Sequence, residues 1–325
     1  MTSTPQAAEE PAAERSDVEA ARPTGGGFLL VGFDGSHDAA TAIAVGARLM
    51  PDRPVRVAHL WSSPDAGSVT YRRLAHRAWT NEHLERLARE EAADSAGIVA
   101  DGGVALARAA GWTAEPFVRG AREGFDLVAV AEELRPTAIV VGSRGLGGVR
   151  GLLGSVSEVV VNRSSVPVLV VPPLLAEERA ATSSGPAVVA HDGSAAAACA
   201  HAVAADLLPG RVLLPAHVES PVSAGTPEQG VDADARSVPV DALRLRADGF
   251  GPSAVAAALA SEAATQRAGV IVIGSRRRSL LREVVLGSHV RAVLQHGHRP
   301  VLVVPPQESA ADAGASTGRT PGSPR

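Results

Sequence analysis

Cysteine and aromatic side chains are scarce in this 325-residue sequence. It has one cysteine, Cys199, and phenylalanine, tryptophan and tyrosine together make up 3% of the residues. A single thiol cannot form an internal disulfide, which is typical of a chain that functions in a reducing compartment. Because Cys199 lies in an alanine-rich stretch, we expect it to pack against a helix as a small apolar side chain.

Long apolar runs and a strong excess of one charge are also missing. No run approaches the roughly 18 apolar residues that a membrane span needs, and residues 1–26 lack the basic start and apolar centre of a secretory signal. The formal net charge of −4 gives no general attraction to nucleic acid or to an anionic membrane. We therefore expect a cytoplasmic protein that binds neither nucleic acid nor membranes.

What the sequence does contain is a long internal repeat. The segment PVLVVPP occurs at residues 167–173 and again at 300–306. Upstream of each copy, an apolar run is closed by an acidic turn, FLLVGFDGSHDAA at 28–40 and AVVAHDGSAAAA at 187–198. A repeat of this period indicates two copies of one folding unit. The predicted domains are module 1 at 27–173 and module 2 at 187–306, with a linker at 174–186 and disordered polar tails at 1–26 and 307–325.

Both modules alternate short β-branched runs with helical segments. This pattern predicts an α/β fold with two tandem Rossmann-like domains, each an open parallel sheet covered by helices on both faces. In module 1, residues 71–110 are predicted to be helical, with Gly102 and Gly103 as a candidate break. Module 2 is shorter between its second and third strands, and the polar segment there predicts that one helix has been lost.

The predicted ligand site lies at the carboxyl ends of the strands, where open parallel sheets bind their ligands. In module 1, the acidic turn with Asp34 and the glycine-rich segment GSRGLGGVRGLLGS at 142–155 should meet there. Glycine allows the backbone to approach a phosphate, and Gly154 and Ser155 open a helix whose N–H groups favour an anion. Asp34 would accept hydrogen bonds from a sugar hydroxyl or an exocyclic amine. A purely structural alternative is that Ser36 caps a helix and the glycines form an ordinary connection.

These repeated motifs resemble the universal stress protein family over about residues 27–173 and 186–306. The resemblance implies five strands per module in the order 3-2-1-4-5. It also implies ATP binding through an aspartate after the first strand and G-x2-G-x9-G-[S/T] after the fourth. The corresponding residues are Asp34, Val141, Gly142, Gly145, Gly154, Ser155 and Val156 in module 1, and Asp192, Gly274, Arg277, Gly287 and Ser288 in module 2.

Both copies depart from the family pattern. Eight residues separate Gly145 from Gly154, where the family usually has nine, and Arg277 stands in place of the second glycine in module 2. The Arg277 side chain would block a close backbone approach, or would itself grip a phosphate. We therefore favour module 1 as the binding site and expect the module 2 site to be degenerate.

The function implied by the resemblance is a nucleotide-responsive stress or signalling protein that binds ATP, accompanied by Mg²⁺. No catalytic residues and no metal ligands are predicted, so at most weak ATP hydrolysis is expected. The resemblance also implies that the PVLVVPP strands lie at sheet edges and pair the two modules with each other. A homodimer and an unidentified signalling partner stay open. One alternative is a nucleotide-independent interaction scaffold. The other is an ATP-dependent enzyme of the wider adenine-nucleotide α-hydrolase-like group, whose loop after the first strand FDGSHDA resembles only weakly.

Overall fold

The computed structural model describes residues 27–64, 67–120, 126–144, 153–219, 238–275 and 287–306. The predicted tails lie outside these residues, as do Gly145, Arg277 and the segment 220–237, where module 2 was predicted to have lost a helix. The fold is described below for the residues within these ranges.

Each module alternates strands and helices along the chain. Module 1 contains β1 (Leu29–Gly32), α1 (His37–Leu49), β2 (Pro54–Trp61), α2 (Val69–Ala75), α3 (Asn81–Ala109), β3 (Thr113–Gly120), α4 (Asp126–Leu134), β4 (Ala138–Gly142), α5 (Ser155–Arg163) and β5 (Val168–Val171). The predicted linker contains α6 (Ala176–Ser184). Module 2 contains β6 (Ala187–Ala190), α7 (Ala195–Leu207), β7 (Leu213–Glu219), β8 (Leu243–Arg246), α8 (Pro252–Thr265), β9 (Val270–Gly274), α9 (Ser288–His296) and β10 (Val301–Val304).

The strands of both modules form one ten-stranded sheet in the order β3-β2-β1-β4-β5-β10-β9-β6-β7-β8. Within each module the neighbouring strands are parallel. Counted inside a module, the order is 3-2-1-4-5 in both cases, which confirms the predicted topology. Each reversal of strand order lies between the first and fourth strands, so this topology fixes where a ligand site can form.

The two copies of PVLVVPP pair with each other at the centre of the sheet, as predicted. Strands β5 and β10 are antiparallel, and Leu169 stands opposite Leu302. These two leucines occupy the same place in the two copies of the repeat, so the modules are related by a pseudo-twofold axis that passes between them. Each strand thereby covers the edge that the other would leave exposed, a known aggregation risk for apolar edge strands.

The core consists of two apolar layers, one on each face of the sheet. Alternate strand residues point to opposite faces: Leu29 and Val31 contribute to one layer, and Leu30 contributes to the other. Leu169 and Leu302 belong to the first layer, which α1, α3 and α7 cover, and Cys199 packs against it partly buried. Both layers continue across the β5–β10 pair, so the two modules share their core.

Helix α3 corrects one expectation, because it runs without interruption through Gly102 and Gly103. A β-carbon on Gly103 would lie 2.6 Å from Cδ1 of Phe33 and 2.7 Å from Cγ1 of Val57. The helix therefore packs too closely on the sheet for any larger residue at this position. Gly103 allows this close packing and does not interrupt the helix. The break in the predicted helical stretch lies before α3, where Thr80 caps the first turn of α3.

A pair of equivalent arginines joins the modules on the side of α1 and α7. Arg53 and Arg211 each lie just before the second strand of their module. Arg53 donates from Nη2 to the backbone oxygen of Asp206 at 2.7 Å, in the last turn of α7. Arg211 donates from Nη2 to the backbone oxygen of Arg48 at 2.9 Å, in the last turn of α1. Each arginine thus places a cation at the carboxyl end of the other module's first helix, where the helix dipole favours it.

Candidate functional site

The turn after the first strand has the same construction in both modules. Asp34 accepts a hydrogen bond at Oδ1 from the backbone N–H of Ser36 at 2.9 Å, and Asp192 accepts one from Ser194 at 3.0 Å. Each serine hydroxyl then caps the following helix by accepting from a backbone N–H in its first turn. The structural interpretation of Ser36 is therefore correct, and Oδ1 of Asp34 takes part in holding this turn.

The end of β4 lies directly against the beginning of α1. A β-carbon on Gly142 would come within 2.8 Å of the carbonyl carbon of Asp38 and 2.9 Å of its oxygen. Gly274 is similarly close to Ala196 in α7, at 2.6 Å from its backbone oxygen. These glycines have a packing reason that is independent of any ligand. The contact also brings together, in both modules, the two segments that the sequence placed at the site.

Helix α5 is fastened to the end of β4 by two hydrogen bonds in module 1. The N–H of Gly154 donates to the oxygen of Ser143 at 2.7 Å, and the Ser157 hydroxyl donates to the oxygen of Gly142 at 2.6 Å. Ser157 was not predicted as a site residue. In module 2 its place, two residues after the helix starts, is taken by Val290, which has no hydroxyl. The difference between SVS and SHV at the two helix starts is the sequence signal that was available.

The amino end of α5 differs from that of α1. Gly154 is the N-cap and makes no side-chain capping bond among the described residues, and Ser155 and Val156 are exposed. The same holds for Gly287 and Ser288 at the start of α9. Val141, by contrast, is buried in the core, so it could offer a ligand only its backbone. An uncapped amino end leaves N–H groups that favour an anion.

Arg144 adds a positive charge where the chain leaves β4. Its Nε lies 3.8 Å from Oδ2 of Asp38, and both side chains are largely buried. The ion pair holds Arg144 beside the first turn of α1, next to the Asp34 turn. Arg144 was not among the predicted site residues, although a serine–arginine pair follows the fourth strand in both modules, at 143–144 and 275–276.

A histidine on the second strand supports the acidic turn in each module. Nδ1–H of His59 donates to the backbone oxygen of Phe33 at 2.8 Å, and that of His217 donates to the oxygen of His191 at 2.9 Å. Both acceptors belong to the residue before the site aspartate. The repeated pair Ala-His, at 58–59 and 216–217, was the available signal, and its meaning depends on strand pairing that single-sequence patterns do not show.

The titratable groups of the site differ between the modules. Burial lowers the pKa of His191 from its usual value, Asp192 opposes this effect, and His201 and His217 add to it.

Within the described residues, no group of three or more histidine, cysteine or acidic side chains could hold a metal ion. No helix in the same part of the chain is both long and apolar enough to cross a bilayer.

The sequence matches the model of the universal stress protein family twice, at residues 29–172 and 185–305. The chain belongs to the universal stress protein family. Its two matches establish a tandem arrangement of two family domains in one chain, as the repeat predicted. No curated protein matches the sequence significantly.

Solved universal stress proteins share this fold. One from Archaeoglobus fulgidus DSM 4304 has 20% identity and a TM-score of 0.57, and the match covers 85% of this chain and 97% of that one. A Pseudomonas aeruginosa UCBPP-PA14 protein assigned to the same family has 15% identity and a TM-score of 0.51, covering 86% and 92%. At these identities the likeness establishes the α/β fold alone.

Two shorter universal stress proteins were solved in complex with nucleotides. A universal stress protein in complex with cAMP matches 45% of this chain and 96% of its own, at 23% identity and a TM-score of 0.32. The Archaeoglobus fulgidus protein in complex with dAMP matches 44% and 95%, at 24% identity and a TM-score of 0.28. These matches are too distant to transfer a binding site to this chain.

Proposed function

We propose that module 1 binds an adenine nucleotide, with ATP as the first candidate, between the β1–α1 turn and the start of α5. The observation that carries this proposal is the contrast between two neighbouring helix ends. The amino end of α1 is closed by Ser36 from its own chain. The amino end of α5 has only Gly154 as its cap among the described residues, and Ser155 and Val156, which follow it, are exposed. A bound phosphate would satisfy the N–H groups that no side chain of the described residues caps.

The charges around this helix end suit a nucleotide. Arg144 supplies a cation for the phosphates, and Asp34 supplies an acceptor for a sugar hydroxyl or an exocyclic amine through Oδ2. Oδ1 of Asp34 is already bonded to Ser36, so the carboxylate is held in one orientation before a ligand arrives. Mg²⁺ would accompany the phosphates and neutralise part of their charge.

Module 1 is the better candidate of the two. It keeps the Ser157 hydroxyl that fixes the start of α5 to Gly142, whereas module 2 has Val290 at that place. We propose one nucleotide per chain, bound by a stress or signalling protein rather than an enzyme. Binding would change the charge of this edge of the sheet, and a partner protein would respond to that change.

The experiment is native mass spectrometry of the full chain, before and after addition of ATP with Mg²⁺. Three variants sharpen it: Asp34→Ala removes both carboxylate oxygens, Asp34→Asn keeps an acceptor for Ser36 but removes the charge, and Asp192→Ala removes the same turn from module 2. Because Asp192 has the same bond to its serine, Asp192→Ala controls for loss of turn stability.

We expect one added nucleotide in the wild type and in Asp192→Ala, and none in Asp34→Ala. Binding retained by Asp34→Asn would assign the aspartate a hydrogen-bonding rather than an electrostatic role. Two added nucleotides would show that module 2 also binds. No nucleotide in a folded protein would contradict the proposal and would favour the nucleotide-independent interaction scaffold.

A further inference from the structure

Two positions beside the acidic turn, both buried in module 1, differ between the modules. The residue before the site aspartate is Phe33 in module 1 and His191 in module 2. The residue nine positions after that aspartate is Ile43 in module 1 and His201 in module 2. Phe33 and Ile43 are 7% and 1% exposed and belong to the same apolar layer. Module 2 therefore has two imidazoles where module 1 has an apolar pair.

The hydrogen bonds of His191 fix its protonation state. Its Nδ1 accepts from the backbone N–H of Gly193 at 3.2 Å, so this nitrogen carries no proton in the observed turn. Its backbone oxygen accepts from Nδ1–H of His217. His191 itself is 6% exposed. Nδ1 of His201 is also buried and has no hydrogen-bond partner among the described residues.

The charged and titratable groups around His191 come from three elements. Asp192 belongs to the same turn, His201 comes from α7 and His217 from β7. Among the described residues, Asp192 alone favours the protonated form, whereas burial and the two neighbouring histidines disfavour it, and the net effect is a lowered pKa. The surroundings of His191 in the folded protein therefore disfavour its protonated form.

We propose that the turn between β6 and α7 in module 2 is a pH-sensitive element, which opens when His191 takes up a proton on Nδ1. Protonation converts the acceptor of the Gly193 N–H into a second donor that faces it, and two donors repel each other. The turn that carries Asp192 and Ser194 then loses its observed geometry, and Ser194 no longer caps α7. Module 1 has Phe33 at this position and does not respond.

The direction of the pH effect follows from the lowered pKa of His191. A histidine whose folded pKa lies below its unfolded value of about 6.5 is stabilising in its neutral form. That contribution to stability is fully present above the unfolded pKa. It is lost as the pH falls below that value towards the folded pKa, because the unfolded chain then binds more protons. Acidification should therefore favour local opening of this turn in module 2, while the equivalent turn of module 1 stays closed.

The proposal goes beyond the nucleotide site and does not require it, since the opening of the turn can be measured without any ligand. The experiment is amide hydrogen exchange of the full chain by NMR between about pH 7.5 and pH 5.5, corrected for the intrinsic pH dependence of exchange. The observed amides are Gly193 and Ser194 in module 2. Ser36 in module 1 is the internal control, because its N–H makes the same bond to an aspartate.

The test variant is His191→Phe combined with His201→Ile, which gives module 2 the pair that module 1 already accommodates. We expect the protection of Gly193 and Ser194 to fall about tenfold on acidification of the wild type. In the double variant the protection of Ser194 should no longer depend on pH, and the protection of Ser36 should stay constant in both proteins.

Two results would overturn the proposal. One is a wild-type turn whose Gly193 and Ser194 protection does not change with pH. The other is an equal loss of Ser194 protection in the double variant, which would assign the effect to Asp192 or to the module as a whole. If the double variant does not fold, His201→Ile alone removes one of the neighbours that disfavour protonation. It should then move the midpoint of the wild-type transition to higher pH, and an unmoved or lower midpoint would contradict the proposal.

Discussion

At the scale of single residues, two glycines of the repeated motif, Gly142 in module 1 and Gly287 in module 2, differ in whether packing requires a glycine. A side chain on Gly142 would collide with the backbone of Asp38 at 2.8 Å. A side chain on Gly287 would meet no described atom within 4 Å, and its φ of −55° suits any residue. Gly142 is therefore required by the packing of β4 on α1, whereas the described structure gives Gly287 no packing role.

Gly142→Ala should lower the free energy of unfolding by about 1–3 kcal/mol, because backbone cannot move aside as a flexible side chain can. Gly287→Ala should change it by less than about 0.5 kcal/mol. Urea denaturation of both variants beside the wild type measures the difference. Equal effects of the two substitutions would show that β4 does not press on α1 as closely as described.

The turn around Asp34 could be predicted from the sequence, but its supporting residues could not. Asp-Gly-Ser after an apolar run is a local pattern, and Ser36 indeed caps the next helix. Each supporting residue makes a contact with a residue that is distant in the sequence. Ser157 donates to the backbone oxygen of Gly142, and His59 donates to that of Phe33. Arg144 forms an ion pair with Asp38. Such contacts depend on which strands lie side by side, and no local spacing reveals them. Gly145 and Arg277 lie outside the described residues, so their predicted roles stay predictions.

At the scale of elements, the strands were easier to predict than the limits of the longest helix. Continuous β-branched runs such as TAIVVGS identify buried parallel strands, and β4 lies within that run. The candidate break in α3 was wrong, because a glycine costs a helix only about 1 kcal/mol relative to alanine. Burial of the surrounding face, including Ala100, Val104 and Ala107, outweighs that cost.

The adjacent glycines of α3 should respond in opposite directions to the same substitution. Gly102 is exposed, and a β-carbon there would meet nothing within 4 Å. Gly102→Ala should therefore stabilise the protein by about 0.5–1 kcal/mol through its helix propensity. Gly103→Ala should destabilise it by about 1–3 kcal/mol, because the methyl group overlaps with Phe33 and Val57. Thermal unfolding of the two variants beside the wild type measures these changes in stability. A Gly103→Ala variant that is more stable than the wild type would contradict the close packing at Gly103.

At the scale of the whole molecule, Arg211 connects three parts of the chain. Its guanidinium donates to the backbone oxygens of Thr182 and Gly185 at the end of α6, and to that of Arg48 at the end of α1. Burial lowers the pKa of this arginine, which nevertheless stays charged at any ordinary pH. Linker, module 1 and module 2 therefore meet at one cation.

Arg211→Met should lower the free energy of unfolding by about 2–3 kcal/mol, because several carbonyl groups lose a charged donor. Arg211→Lys is the matched control and should cost less, since lysine keeps the charge but lacks the planar fork.

The three tryptophans, Trp61, Trp79 and Trp112, all lie in module 1, so their fluorescence reports on that module.

Because the modules share their core, a substitution in module 2 should shift the tryptophan transition together with the far-ultraviolet circular dichroism of the whole chain. Two separate transitions, with the fluorescence unaffected by Arg211→Met, would show that the modules unfold independently.

The antiparallel pairing of β5 with β10 also decides the direction in which each module presents its ligand site. All strands of module 1 run one way and all strands of module 2 run the other way. The carboxyl ends of the two sets of strands, and hence the two Asp-Gly-Ser turns, therefore lie at opposite edges of the continuous sheet. The proposed nucleotide site of module 1 and the proposed pH-sensitive turn of module 2 therefore face opposite ends of the molecule, so a partner bound at one of these ends would contact one of the two turns and not the other.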